Sequence, residues 1–252
     1  MLFLTFAADL AHKSLVRVFP QGMSRTFLSP LAATATLFIS VSSPAEVLFN
    51  QIGSPSNLPP TGPEGFYRYG SQIFVGESQF DVAALDDFTL GTAARINSVA
   101  TVIAGYGAFS SYEAIQGFEL RIFASPEAAA SGLSNALAVR ALGGASAYSD
   151  YGTGKLVEFA LAQPLELGAG SYWMTVQAVN AAPTNGQIGV VISDIGNQAS
   201  FQANPGGGFG VPGNLIARPV NFAYRLGGEV VPTPAGVPLL LVGMLMRERR
   251  RR

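Results

Sequence analysis

In the clearest stretch of this chain, Phe118-Glu-Leu-Arg-Ile-Phe-Ala, apolar and polar side chains alternate. Phe118, Leu120 and Ile122 fall on one face and Glu119 and Arg121 on the other. A period of two places one face on a core and the other in water, as in a half-buried strand. Tyr172-Trp-Met-Thr-Val-Gln-Ala alternates less cleanly. Similar short runs, bounded by Gly, Pro, Asn or Asp, cover 72–75, 86–90, 96–104, 117–124, 137–142, 156–161, 170–179, 189–193 and 221–226. About nine one-sided strands with hardly any helical periodicity predict an all-β fold, an antiparallel β-sandwich or jelly roll. One local exception is Ser125-Pro-Glu followed by three Ala. An N-cap, a Pro at the first helical position and an early acid predict one helical turn to Ser131, stopped at Gly132. Residues 50–72, rich in Pro, Gly, Ser and Asn, read as an exposed loop leading into the first strand.

The two ends follow other patterns. From Met23 a positive start, an apolar stretch from Leu28 to Val41 and the small residues Ser43 and Ala45 ahead of Glu46 make the three parts of a signal peptide, with cleavage expected after Ala45. Residues 1–22 lack a basic start and lead to no cleavage site, so translation is expected to begin at Met23. At the other end, a Pro-rich hinge is followed by an apolar run from Ala235 to Met246 and by Arg247, Arg249, Arg250, Arg251 and Arg252. Arginines beyond an apolar segment stay on the cytoplasmic side, which holds the preceding body outside. The run, expected to form a short hydrophobic helix, reaches only roughly 18 Å at about 1.5 Å per residue, against a hydrocarbon core of about 30 Å. The organisation expected is therefore an extension at 1–22, a signal peptide at 23–45, a loop-rich segment at 46–72, a sandwich at 73–229 and a tail at 230–252.

The tail residues Val231, Pro232, Pro234, Ala235 and Gly236, with the apolar run and the arginine block behind them, resemble the PEP-CTERM family of sorting tails in its Val-Pro-x-Pro-Ala variant. The resemblance covers about the last twenty residues. It implies a Gram-negative exported protein, cut near the Pro-x-Pro motif by an exosortase, which is a membrane-embedded cysteine protease. Delivery to the cell surface or an extracellular polysaccharide matrix would follow a transient stay at the inner membrane. The body also looks like those often found ahead of such tails, through Asp86-Asp-Phe-Thr-Leu, Gly117 to Phe123, the Tyr172-Trp pair behind Leu165 or Leu167, and Gly206-Gly-Gly-Phe-Gly. That second likeness implies a fold and no activity.

Composition narrows the chemistry. The chain has 252 residues, 48% hydrophobic and 12% charged, with 29 Gly, no Cys and one His. Without Cys there are no disulfides, thiolate metal sites or thiol nucleophiles. Cleavage after Ala45 would also remove His12, and with it any Ser-His-Asp triad or histidine metal site. Outside the two ends the acids exceed the bases by fourteen to seven. Such a body repels nucleic-acid phosphates and anionic lipid, so no nucleic-acid partner is expected.

Among candidate side chains, Asp86 and Asp87 offer carboxylates, but neighbours on a strand point to opposite faces and converge poorly on one ion. No calcium-loop spacing is present, and no cofactor is expected; calcium is the one candidate, without a motif behind it. The Gly206-Gly-Gly-Phe-Gly run lacks the Lys-Ser of a phosphate loop and reads as a flexible loop. Tyr67, Tyr69, Tyr106, Tyr112, Tyr148, Tyr151 and Trp173 carry flat faces of the kind that stack on sugar rings. Of these, Tyr148 and Tyr151 are the expected exposed candidates for glycan contact, whereas Trp173 is expected in the core. The reading is a non-enzymatic structural or matrix-associated protein, with exopolysaccharide as a candidate partner. A carbohydrate-binding module and a carboxylate-dependent glycoside hydrolase are the alternatives. The hydrolase would need facing acids about 5 to 10 Å apart, for which Glu119, Glu158 and Asp194 are candidates.

Overall fold

The computed structural model describes residues 46–232. The expected signal peptide with Ser43 and Ala45, the extension before it, and the tail from residue 233 with Pro234, Ala235, Gly236 and the terminal arginines lie outside the described residues. In chain order the strands are β1 (Glu46–Asn50), β2 (Arg68–Gly70), β3 (Gln72–Phe74), β4 (Ala83–Leu90), β5 (Ala94–Tyr106), β6 (Gly117–Phe123), β7 (Ala138–Gly143) and β8 (Ser149–Tyr151). They continue with β9 (Gly154–Leu167), β10 (Gly170–Asn180), β11 (Gln187–Ser193), β12 (Ser200–Ala203), β13 (Leu215–Arg218), β14 (Asn221–Phe222) and β15 (Tyr224–Val230). Helix α1 (Pro126–Ser131) follows β6, and a one-turn helix, α2 (Ala182–Asn185), follows β10.

The strands form two sheets, and the fold is all-β as the alternation predicts. In the first sheet β5 is the centre: β9 lies along one edge, while β15 and β11 share the other. β1 pairs with β15, β8 with β9, and β2 and β14 with β11. The second sheet runs β13-β12-β4-β10-β6-β7. Its pairs are antiparallel apart from β3, which joins β10 in parallel at Ala178–Asn180. The main core fills the space between the sheets. Phe88, Leu120, Ile122, Met174 and Val176 come from the second sheet, and Ile96, Val99, Ile103, Val157, Tyr224 and Leu226 from the first.

Each outer face is also partly covered. On β5, Val99 and Ile103 enter the main core, while Ala100, Val102 and Ala104 point the other way, towards a small apolar cluster. Ile52 and Leu58 complete that cluster and are 0% and 3% exposed. The 50–72 segment is exposed over much of its length, as its composition suggests, but its two aliphatic side chains are buried and fill the space above the small alanines, and Arg68–Gly70 forms a strand. On the second sheet α1 lays Ala129 and Ala130 over Ala83, Leu85, Phe123 and Ala203. The helix forms where expected, with the Ser125 side chain accepting the Ala128 N–H at 3.3 Å and Gly132 as C-cap.

Other differences have local causes. The predicted strand at 221–226 is two, because Asn221 and Phe222 pair with β11 and the chain then passes to β5 at Tyr224. The predicted strand at 156–161 extends to Leu167 despite Pro164. There the register jumps between Ile96↔Leu165 and Ser98↔Ala160, so Pro164 sits in the irregularity and owes no ladder hydrogen bond.

Candidate functional site

Tyr148 and Tyr151, the tyrosines expected to be free for glycan, are both half-buried. Tyr151 donates its O–H to the Gly53 carbonyl at 2.5 Å and packs on the outer cluster under Ile52 and Leu58. It braces the lead-in segment. Tyr148 packs on Tyr112, with ring centroids 5.3 Å apart, and lines a shallow hollow with Glu113 and Ile115. The two tyrosines do not come together in one hollow. Trp173 is half-buried against Phe201 at 5.3 Å, on the helix-covered face.

The acids are also dispersed. Asp86 is fully buried: its Oδ2 accepts the Phe222 N–H and its Oδ1 the Asp87 N–H. Asp87 points away and accepts the Asn197 side-chain amide at 2.8 Å. Glu119 is held by Arg121 and Glu158 by Arg225, on strands of different sheets. Among the described residues no three Asp, Glu or His side chains come together in a metal-ligating group.

A more suggestive arrangement lies at the open edge of the sandwich, where β2 and the last residue of β5 face β12 and β13 of the other sheet. Two hollows adjoin there along Tyr106, Gln202 and Arg218. One, of about 310 Å³, is walled by Phe66, Tyr67, Arg68, Tyr69 and Gly70; the other, of about 220 Å³, by Val82, Gln187, Asn204, Phe209 and Val211. These volumes approach the lower end of small-ligand sites, about 300 Å³. Chain topology explains the gathering. β2 pairs with β11 along Gly189–Val191, and Tyr106 ends β5 opposite Gln187, so Arg68 and Tyr106 come to the same end of that sheet.

The two arginines of this groove differ in how they are held. Arg218 donates to Glu64 Oε2 at 3.0 Å and to Gln202 Oε1 at 2.9 Å, and lies 4.8 Å from the Tyr69 ring centroid. Glu64 also accepts the Tyr69 O–H, and Gln202 donates to the Gly70 carbonyl at 3.2 Å, so both terminal nitrogens of Arg218 are taken up while its Nε is buried without a partner. Arg68 instead lies 4.3 Å from the Tyr67 ring centroid and 5.1 Å from that of Tyr106. Ring faces attract a cation but accept none of its N–H groups in the in-plane direction. Among the described residues no oxygen accepts a hydrogen bond from Arg68, and its Nε is buried without a partner. Burial pushes the Tyr106 hydroxyl up to about 12, against the opposing pull of Arg68, so it is a neutral donor at physiological pH. Gly70 is required beneath it: a Cβ there would lie 2.7 Å from the Tyr106 hydroxyl oxygen.

Tyr67, Tyr69 and Tyr106 were legible as aromatic candidates, but the arginines, Gln187 and Gln202 were not, since 150 residues of chain separate Arg68 from Arg218. The lining of either hollow includes no carboxylate, and Glu64 enters only as the partner of Tyr69 and Arg218. The lining thus offers a cation, planar amides and aromatic faces, and not the pair of acids that glycoside hydrolysis uses. The sequence matches no protein-family model, and no curated protein matches it significantly.

Proposed function

We propose that this chain is an exported, matrix-associated protein with a jelly-roll-type sandwich body, sorted through its PEP-CTERM-like tail to the cell surface or the extracellular polysaccharide matrix. On this reading the amino-terminal signal is removed after Ala45, and the tail holds the body at the inner membrane until an exosortase-type protease cuts it. The observation that carries the proposal is where the last strand ends relative to the Pro-x-Pro motif. β15 ends at Val230, so Val231 and Pro232 already stand outside the ladder. Val231 still donates its N–H to the Ala93 carbonyl at 2.8 Å, and Pro232 has no N–H with which to continue the pairing. A cut near the Pro-x-Pro motif would leave every described strand intact. The test is the location of the full chain with and without residues 230–252, together with amino-terminal sequencing. Surface or matrix delivery of the full chain with a new terminus at Glu46, lost on truncation, is expected. Unchanged delivery of the truncated chain overturns the sorting proposal.

A second reading, that the body binds saccharide within that matrix, is favoured by the groove around Tyr106, where aromatic faces and polar side chains converge without a carboxylate. The acid excess of the body supports neither nucleic acid nor an anionic membrane as partner.

A further inference from the structure

We propose that the groove between β2, the end of β5 and the β12–β13 edge binds a carboxylate-bearing sugar of an acidic polysaccharide, with Arg68 as the group that pairs with the carboxylate. This rests on the saccharide-binding reading and adds to it the class of sugar and the residue that selects it.

The argument starts from Arg68. A guanidinium carries five N–H donors in a planar fork, and in protein interiors and clefts these are ordinarily taken up by acceptors. Arg218, on the opposite wall, has both terminal nitrogens taken up, one by a carboxylate and the other by an amide oxygen, although its Nε, like that of Arg68, is buried without a partner. Arg68 has the two rings of Tyr67 and Tyr106 and no protein acceptor among the described residues. The rings fix the guanidinium and withdraw little of its hydrogen-bonding capacity, so its outer nitrogens remain available to a bidentate acceptor. A carboxylate matches that fork in shape and charge. The nearest carboxylate on this wall, Glu64, is already shared between Tyr69 and Arg218. The groove therefore keeps a local positive charge on a body that is acidic as a whole.

The rest of the groove fits the remainder of a sugar. Phe66 stands at the rim, 62% exposed, where its flat face offers an apolar surface to ring C–H groups. The Tyr106 hydroxyl and the Gln187 side chain are unpartnered among the described residues and line the second hollow, so they can take hydroxyl groups of an adjoining unit. Two hollows meeting along Tyr106, Gln202 and Arg218 suit successive units of a polymer better than one enclosed small molecule. Electrostatics limits the charge-assisted contact to one carboxylate at a time. One unpaired arginine offers a single charge-assisted contact, and the surrounding acid excess opposes phosphate-rich chains.

The test uses the purified full chain and five probes: oligogalacturonate, the same oligomer with its carboxyls methyl-esterified, free galacturonate, a neutral glucose oligomer of equal length, and polyglutamate. Calorimetric titration is expected to show binding of oligogalacturonate, weakened about tenfold or more by esterification and by Arg68→Gln, since each loses the charge-assisted pair. Arg68→Lys should retain part of the affinity but lose the bidentate component. Gln187→Ala, on the other hollow, should weaken the oligomer and leave free galacturonate unchanged, which gives a second measurement should Arg68→Gln fail to fold. Equal binding of the acidic, esterified and neutral oligomers overturns the role of Arg68 and leaves saccharide binding standing. Polyglutamate bound as tightly as oligogalacturonate overturns the sugar in favour of a plain carboxylate site. No binding of any sugar overturns both.

Discussion

The side chain of Asp86 on β4 accepts the backbone N–H of Phe222 on β14, a hydrogen bond that crosses from one sheet to the other inside the sandwich. Gln51, with its amide nitrogen turned towards Asp86, donates to Oδ2 and to the Phe222 carbonyl, both at 3.0 Å, and so draws the lead-in segment into the same junction. Burial dominates the acidity of this group and pushes it up to about 8, although the Phe222 and Asp87 N–H groups pull the other way. The folded state consequently holds a proton that the unfolded chain, with its carboxyl near about 4, has already released. Stability should fall as pH rises from about 4 to about 8 and level off beyond. Asp86→Asn removes that slope, so the two proteins' urea midpoints should cross within the window. A wild-type midpoint that climbs across it would show that the hydrogen bonds, not burial, set the charge of Asp86.

Tyr224 provides a second tie between the sheets. Its buried hydroxyl donates to the Ala84 carbonyl at 2.8 Å and receives the Val176 N–H at 3.4 Å. Tyr224→Phe keeps the ring packing and strands the Ala84 carbonyl, so a loss of about 1 to 2 kcal/mol is expected in equilibrium unfolding. A loss below a few tenths would mean that water replaces the hydroxyl.

The covering of the outer face by the lead-in segment can be tested separately. Leu58→Ala opens a hole over Ala100, Val102 and Ala104 and should cost about 2 to 3 kcal/mol, towards the lower end for buried leucines because one wall is a loop able to settle. Tyr151→Phe, which removes the hydrogen bond to Gly53, should speed amide exchange in 51–58 while leaving β5 protected. Equal exchange rates in both proteins would assign the brace to packing alone.

Helix α1 begins at a Ser125 cap with Pro126 behind it. Ser125→Ala should lower stability by about 1 kcal/mol. Exchange measurements should place the effect on Ala128 to Ser131, because the cap satisfies the Ala128 N–H and the helix has only one further turn.

The long strands could be read from sequence because six or more residues leave room for a period to show, as in Phe118 to Phe123. Arg68–Gly70, Ser149–Tyr151, Ser200–Ala203 and Leu215–Arg218 have three or four residues each, too few for any period. What makes them strands is the free edge of a neighbour, which lies far away in sequence. Alternation was blurred elsewhere for a physical reason: strands such as β4 and β5 are apolar on both faces, since the lead-in segment and α1 each cover an outer surface. The same covering accounts for part of the low charge, because faces that would otherwise meet water are packed with alanine and leucine. The groove was the least legible feature. Its aromatics are visible as residue types, but only the pairing of β2 with β11 and of β12 with β13 shows which of them stand beside an arginine.

Strand β5 also fixes a direction. Its first residue, Ala94, is paired with Val230, the last residue of β15, and its final residue, Tyr106, stands in the wall of the groove. At about 3.3 Å per residue the thirteen-residue strand measures up to roughly 40 Å. Glu46 lies opposite Gly228, so the amino-terminal strand starts at the same pole at which the carboxyl-terminal strand finishes. On the proposed sorting, a body held by its carboxyl end would stand on that pole like a bollard on a quay, with Glu46 and Val230 towards the membrane. Tyr106 and Arg68 would face outward from the far pole, clear of the lipid headgroups and within reach of polymer strands passing over the surface.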